Sequence, residues 1–421
     1  MLIEVMMRQF ISMEEAFATV ERVAREHAVK SESMALAAAV GSILAKPCVA
    51  QLSIPPFDNS ARDGFVVSDA GLDMARAGDA IPVHGELAAG STLEDAAKLE
   101  GPCARIMTGA PVPPWASAVV MLEDVDFDQG MATLKSSPPA GAWIRAAGSD
   151  IAKDRVILNA GRRLIGEHVQ ALASAGVASV EVSQRPRVGV CSTGEELADL
   201  TVGSLGSGQI YDSNRPSLGA MLQSYGCDLV LSEHVGDRLE AMVDFLNRAM
   251  ALDLNVLVSS GAVSMGQYDF VKPALEAIGA EIVFHKVTQK PGKPLLFAVL
   301  PNGTLYFGLP GNPVSSTANC RFYVQAALAA IQGQPRQQPM KLPAADAIET
   351  PDGLAVFLKA RCEQTPNGMQ ARALEGQESF QTEPLLQMNG WIVLSESTSA
   401  VKAGDLVSFY PADPEGVPDI F

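Results

Sequence analysis

Histidine is scarce in this chain, with five in 421 residues, and none lies in a recognisable nucleophile motif. A Ser–His–Asp hydrolase is therefore a poor reading. The six cysteines (Cys48, Cys103, Cys191, Cys227, Cys320 and Cys362) are dispersed, without a Cys-x-x-Cys pair or nearby histidines to form a zinc site. Scattered single thiols fit a reducing compartment and small buried hydrophobes. No Gly-x-Gly-x-x-Gly precedes a helix, which argues against a nicotinamide enzyme. Charged residues are few, at 19%, and acids predominate, giving a net charge of −17. Nucleic acid and anionic membrane surfaces both call for a basic face, so neither is expected as a partner. No apolar run reaches the roughly 18 residues of a membrane span, and Glu4 and Arg8 interrupt the apolar start in a way unlike a signal peptide. The expectation is a soluble cytoplasmic protein. Any anionic substrate must be met by local lysines, backbone N–H groups or a divalent metal.

Apolar residues, by contrast, make up 48% of the chain, ample for sizeable cores, and the length suits two to four domains. The most informative stretch is Asn255 to Ser316. Three short apolar runs there each end in, or begin from, loops of Gly, Pro, Ser and Lys: Ser259-Ser-Gly-Ala-Val-Ser-Met-Gly-Gln-Tyr-Asp269, Lys286-Val-Thr-Gln-Lys290-Pro-Gly-Lys293-Pro294, and Gly308-Leu-Pro310-Gly-Asn-Pro313. Apolar runs bounded by such breakers read as buried strands. Glycines let backbone N–H groups approach a ligand. A helix opening at Pro313 offers free N–H groups and a positive dipole end. With the lysines, these features favour an anion.

Around this stretch the chain alternates strand and helix. Strands are expected at Arg187–Ser192, 228–232 and 255–259, and helices at 217–225, 238–251, 270–278 and 313–331. This pattern predicts a parallel sheet. Upstream, 13–25 has helical spacing with Ser12 as cap and Glu15 closing a capping box. Leu36–Leu44 is a weaker helical stretch, and a helix at 165–175 ends at Gly176. The stretch 80–147 reads as β-rich. Short β-runs follow 336, with Asn389-Gly390 expected as a hairpin turn. Asp212 or Asn214 would cap the helix that follows them. Asp58 and Asp63 suit Asx turns, and Thr108 suits a turn hydroxyl.

The motifs quoted above, together with Pro55-Pro-Phe-Asp-Asn-Ser-Ala-Arg-Asp63-Gly, resemble those of the molybdopterin molybdenumtransferases, the family that includes the catalytic domain of gephyrin. The resemblance extends over nearly the whole chain. It implies an α/β multidomain fold with a central three-layer α/β/α domain and a mostly parallel sheet. The implied domains are an elongated dimerisation domain (1–52 plus 149–184), an inserted β-rich domain (53–148), a molybdopterin-binding α/β domain (185–333) and a C-terminal β-barrel (334–421). The implied reaction is adenylated molybdopterin plus molybdate giving molybdenum cofactor and AMP, with Mg²⁺. The implied state is a homodimer with a site shared between subunits, supplied by an adenylyltransferase.

By the same resemblance Asp63, Thr108, Glu196, Asp237, Asp269, Lys286 and Lys290 are catalytic candidates. Asp237 and Asp269 would bind Mg²⁺. Asp150, Ser192, Thr193, Gly194, Asp212, Asn214, Ser260, Gly261, Lys293, Pro310, Gly311, Asn312, Pro313 and Ser315 would contact substrate. Asp63 and Thr108 would act across the dimer interface. The chain departs from the family pattern at Arg62, Ala262, Met265 and Gln267. It departs again at Lys359, near an expected arginine, and at Glu375-Gly-Gln-Glu-Ser-Phe380, where a Gly-Ser motif is expected. Two alternatives stand beside the transferase: a molybdopterin adenylyltransferase, and a binding or scaffold paralogue with weakened activity.

Overall fold

A computed structural model describes residues 8–262 and 270–414. Asp269, Met265 and Gln267 therefore lie outside the described residues. The chain divides into two compact units, Ser33–Val182 and a larger one formed by Met1–Glu32 with Ser183–Phe421.

The larger unit is built on seven strands: Arg8–Ile11 (β1), Arg187–Thr193 (β2), Asp228–Val235 (β3), Val256–Ser260 (β4), Glu281–Val287 (β5), Leu296–Val299 (β6) and Leu305–Leu309 (β7). Their spatial order is β1-β5-β6-β7-β4-β2-β3. From β7 through β4 and β2 to β3 every pairing is parallel. Only β6 runs against its two neighbours. The helices are Met13–Glu26 (α1), Asn214–Ser224 (α2), Leu239–Met250 (α3) and Val271–Ala277 (α4). A final rod (α5) runs Pro313–Asn319, a wide π turn Cys320–Val324, and Gln325–Ile331.

The strands' two-residue period sorts the core onto two faces. Val188, Val190, Val256 and Val258 pack with Phe17 of α1, Leu218 of α2 and Phe322 of α5. Cys191, Leu257 and Tyr306 pack on the opposite face with Phe245 of α3 and Leu275 of α4. Burial on both faces is why these strands read as continuous apolar runs. Residues 8–32 pack with this sheet rather than with 33–52: β1 pairs with β5, and Ser12 Oγ caps α1 by accepting the Glu15 N–H at 3.1 Å.

Two sequence expectations need correction. Leu36–Leu44 is not a helix beyond the short turn Leu36–Ala39. The N–H groups of Gly41 and Leu44 donate instead to Leu164 O and Arg162 O, at 2.8 and 2.9 Å. Those pairings outcompete a weak alanine-rich helix. Asn389-Gly390 is no hairpin turn, since Gly390 opens the strand Gly390–Leu394. A side chain there would lie 2.5 Å from Tyr410 O and 2.2 Å from Phe409 Cζ, so the glycine serves close packing. Asn389 bonds Cys362 at both its N–H and its carbonyl, at 2.7 and 2.9 Å. Helix α2 starts at Asn214, ahead of the expected 217, because Pro216 falls in its first turn, where no N–H is needed.

Unit Ser33–Val182 carries a six-stranded sheet in the order Ala116–Met121, Gly64–Ser68, Cys103–Ile106, Ile81–Leu87, Met131–Leu134, Val125–Asp128. The C-terminal strands of the larger unit centre on Ala355–Thr365, which pairs with Gly368–Ala373 and Gly390–Leu394. Their apolar side reaches the principal core, with Phe322 at 4.7 Å from Phe357 and 6.1 Å from Trp391. All six cysteines are unpaired and buried, and burial pushes the Cys103 and Cys227 thiols up to about 12.

Arg321 locks this junction. It is 2% exposed and donates to Pro411 O (2.8 Å), Ala412 O (3.0 Å) and Gln337 Oε1 (2.6 Å). Arg321→Met should destabilise the protein by about 2–4 kcal/mol in urea denaturation, because buried carbonyls lose their donor. An unchanged midpoint would show that the bonds are dispensable.

Candidate functional site

The parallel block determines where loops meet. Strands β7, β4, β2 and β3 are neighbours with one polarity, so their carboxyl ends emerge along a single edge of the sheet. Open α/β sheets bind ligands at such edges. A cleft of about 970 Å³ lies there, lined by Thr193 to Glu196 after β2, Asp237 after β3, Gly261 after β4, and Pro310 to Pro313 after β7. Ser192, Asp212, Asn214 and Ser260 line it too.

Hydrogen bonds tie these loops into one frame. Asp212, 2% exposed, accepts from Ser192 Oγ (2.6 Å), Arg215 Nε (2.8 Å) and the Arg215 N–H (3.1 Å). It thus supports the first turn of α2 as well as the loop after β2. Arg215 continues to Asp199 at 2.8 Å. Hydrogen bonds from the Thr201 N–H and hydroxyl, with Arg215 adding to them, push Asp199 down to about 2. Asn214 does not cap. Its Nδ2 donates to Ser260 Oγ and to Gly311 O, each at 2.7 Å, joining the loops after β4 and β7. Ser316 Oγ donates to Pro310 O and Asn312 O, and the neighbouring Ser315 is buried in the helix.

Glycine is required at 261. Its φ is +105°, and an added Cβ would lie 2.5 Å from Thr193 Oγ1 and 2.6 Å from Thr193 O. Ala262, which departs from the family pattern, has φ +51°. A side chain in that region costs about 1–2 kcal/mol relative to glycine.

Asp237 Oδ2 accepts the Glu195 N–H at 3.1 Å, while Oδ1 is buried with no hydrogen-bond partner among the described residues. An orphaned carboxylate oxygen at a cleft wall suits a hard cation or a ligand donor. Among the described residues no cluster of three or more His, Cys, Asp or Glu side chains forms a ready metal cage. The acids lining the cleft, among the described residues, are Glu195, Glu196, Asp212 and Asp237, of which Asp212 is already engaged by Ser192 and Arg215.

None of the three candidate lysines is among the lining residues, although Pro294 of the same turn is. Lys286 is buried with φ +76°. Its ammonium lies 5.2 Å from the Phe10 ring centre, and that of Lys293 lies 5.1 Å from it. Lys290 is half exposed and 3.9 Å from Glu378. What holds their turn escaped the sequence reading. Gln289 Nε2 donates to Asn319 Oδ1 (2.8 Å) and Pro291 O (3.1 Å), Asn319 Nδ2 donates to Gly292 O (3.0 Å), and Tyr323 donates to Gln289 Oε1. Asn319 and Tyr323 stand at the π turn of α5, a local widening common at functional sites. A polar Asn between Ala318 and Cys320, inside a helix that buries most of its residues, was the one available signal. Tyr211 and Phe380 are further lining residues that were missed.

In the other unit, Asp63 Oδ1 accepts both the Thr108 hydroxyl (2.6 Å) and the Thr108 N–H (2.7 Å). These two bonds, the hydroxyl's first, lower the Asp63 pKa below its ordinary 3.8. Asp150 is exposed and donates its N–H to Ile54 O at 3.0 Å. Because the folded Asp63 pKa is depressed, the stabilisation from this contact is fully present above the unfolded value and is lost as pH falls through the folded one. Thr108→Val should move the Asp63 titration back toward 3.8 in a carboxyl NMR titration. No movement would assign the whole shift to the backbone N–H.

Comparison with known proteins agrees with this architecture. Residues 11–176 match the family model described as MoeA N-terminal region (domain I and II), and 189–330 match the one described as probable molybdopterin binding domain. A molybdopterin molybdenumtransferase of Synechococcus elongatus is 34% identical over 86% of this chain and 90% of its own. One from Haemophilus influenzae is 33% identical over 91% and 94%. The crystal structure of a molybdopterin biosynthesis MoeA protein from Pyrococcus horikoshii OT3 superposes with a TM-score of 0.77 at 25% identity, covering 95% of this chain and 99% of that one. With four loop ends on one cleft and relatives matching along nearly its full length, the chain belongs to the molybdopterin molybdenumtransferase family, a family of enzymes.

Proposed function

We propose that this enzyme transfers molybdate into adenylated molybdopterin, giving molybdenum cofactor and releasing AMP. The observation that carries the reading is the shared edge: Gly261, Asn312 and Asp237 lie in one cleft although they are distant in sequence. Pro313 carries no N–H, and those of Gly261 and Val314 are already given to Leu309 O and Ser379 O. The positive end of α5 and the backbone of the Gly311–Asn312 loop would therefore hold the phosphate and oxyanion groups of the substrate. Asn214 holds the loops after β4 and β7 at a fixed separation, so the anion pocket is set before substrate arrives. Lys290 and Lys293, carried on the turn that Asn319 braces, would add positive charge at the cleft's border. Lys286 belongs to the same set.

Mg²⁺ fits the orphaned Asp237 Oδ1, with Glu196 nearby and Asp269 completing the expected acids. When bound, it would neutralise phosphate charge as the phosphoanhydride breaks. Ser192, Thr193 and Asp212 keep the loop after β2 in place, with the Ser192 hydroxyl donating into Asp212. The resemblance that assigns Asp63, Thr108 and Asp150 to the reaction assigns Asp63 and Thr108 to a second copy of the chain, so the proposal includes a homodimer. An adenylyltransferase would supply the substrate.

The test is AMP release from adenylated molybdopterin, with and without molybdate and Mg²⁺. Release dependent on molybdate is expected. Consumption of ATP with free molybdopterin would point to the adenylyltransferase instead, and pterin binding without turnover to a scaffold. In the same assay Asp237→Asn should cut turnover at least about 100-fold while leaving the fold intact, the scale of an essential electrostatic group. Turnover close to that of the parent protein would remove Asp237 from the mechanism.

A further inference from the structure

The segment Gly376–Gln381 reaches the cleft from the C-terminal part of the larger unit, and Phe380 is its lining residue. The Phe380 ring is 67% exposed. The backbone of this loop is firmly held. Lys359 is 0% exposed. Its Nζ donates to Gly376 O (2.6 Å), Gln381 O (2.9 Å) and Glu378 O (3.3 Å). Three ammonium donors are thus matched by three carbonyls. Gln377 brackets the same lysine's backbone, accepting its N–H at 3.0 Å and donating to its carbonyl at 2.9 Å. The Ser379 hydroxyl accepts from Asn312 Nδ2 at 2.9 Å, and its carbonyl accepts the Val314 N–H at 3.1 Å.

These ties have two effects. The Lys359 charge is enclosed within the loop, so it holds backbone rather than ligand. The loop is fastened to the first turn of α5, beside the Pro310 to Pro313 part of the cleft's lining. Phe380 makes none of these ties. A firmly held loop thus presents one exposed aromatic residue at the rim of a polar cleft.

We propose that Phe380 is a stacking platform for the planar heteroaromatic ring of the bound substrate. The proposal rests on the transferase reading for the ligands it names. Adenylated molybdopterin carries two such rings, a purine and a pterin. A ring stacked on Phe380 while its phosphate meets the α5 end would register the substrate along the cleft. An aromatic platform tolerates either ring, because each has a π face.

The experiment is calorimetric titration of the full-length protein, as parent, Phe380→Ala and Phe380→Tyr, with AMP, a free pterin and inorganic phosphate in separate runs. Phe380→Ala should weaken AMP or the pterin about tenfold or more, on the scale of base–aromatic stacking, and the ligand affected identifies the ring. Phe380→Tyr should stay within about twofold of the parent, since the ring face is kept. Phosphate, which has no ring, should bind all three proteins alike. Equal ring affinities in the parent and Phe380→Ala would overturn the platform alone, as would an equal loss for phosphate. A parent protein that binds neither AMP nor pterin would overturn the transferase reading along with it.

Discussion

Parallel polarity across four adjacent strands is the constraint on which the site depends. A strand's side chains repeat every two residues, but its ends are fixed by direction alone. With β7, β4, β2 and β3 aligned, residues as far apart as Thr193 and Asn312 meet at one edge. Reversing any one of the four would send its loop to the opposite edge. The antiparallel strand β6 stands outside this block, between β5 and β7. It affects the lysine turn before it and leaves the four-loop cleft untouched.

Once the loops meet, short polar side chains set their spacing. Asn214 bridges two loops, Asp212 gathers three donors, and Asn319 with Gln289 fixes the lysine turn. None of these need touch substrate to matter. Each satisfies buried polar groups that would otherwise be costly, and so rigidifies its surroundings. The pocket is therefore a backbone structure stabilised by amides and hydroxyls. Carboxylates are part of its lining, whereas the three candidate lysines stand outside it.

Much of this architecture was legible in the sequence because buried parallel strands announce themselves. Val188 to Cys191 and Val256 to Val258 are apolar throughout, and glycine, serine or proline marks where each strand stops. The helices α1, α3 and α5 were legible from their periodicity. Leu36–Leu44 was not, because pairing with distant Arg162–Leu164 decided it and periodicity carries no record of remote partners. Gly390 misled for a related reason: glycine marks both turns and close packing, and only Phe409 and Tyr410 distinguish them. The loop motifs named most of the cleft's lining. The braces were hidden, since nothing local to Gln289, Asn319 or Lys359 says which carbonyl each will meet. Lys359 read as a displaced arginine, whereas its ammonium is used within a loop.

Helix α5 links three parts of the larger unit. Its N-terminal end shapes the cleft, its middle braces the lysine turn through Asn319, and the next turn carries Arg321 and Phe322 into the C-terminal strands. One continuous rod thus joins three regions that a domain map would draw separately. Ending the chain after the rod would strip the cover from Phe322 and leave the Arg321 guanidinium without its acceptors, so residues 189–330 are not a detachable module in this protein. The helix and the strands it meets have to change together.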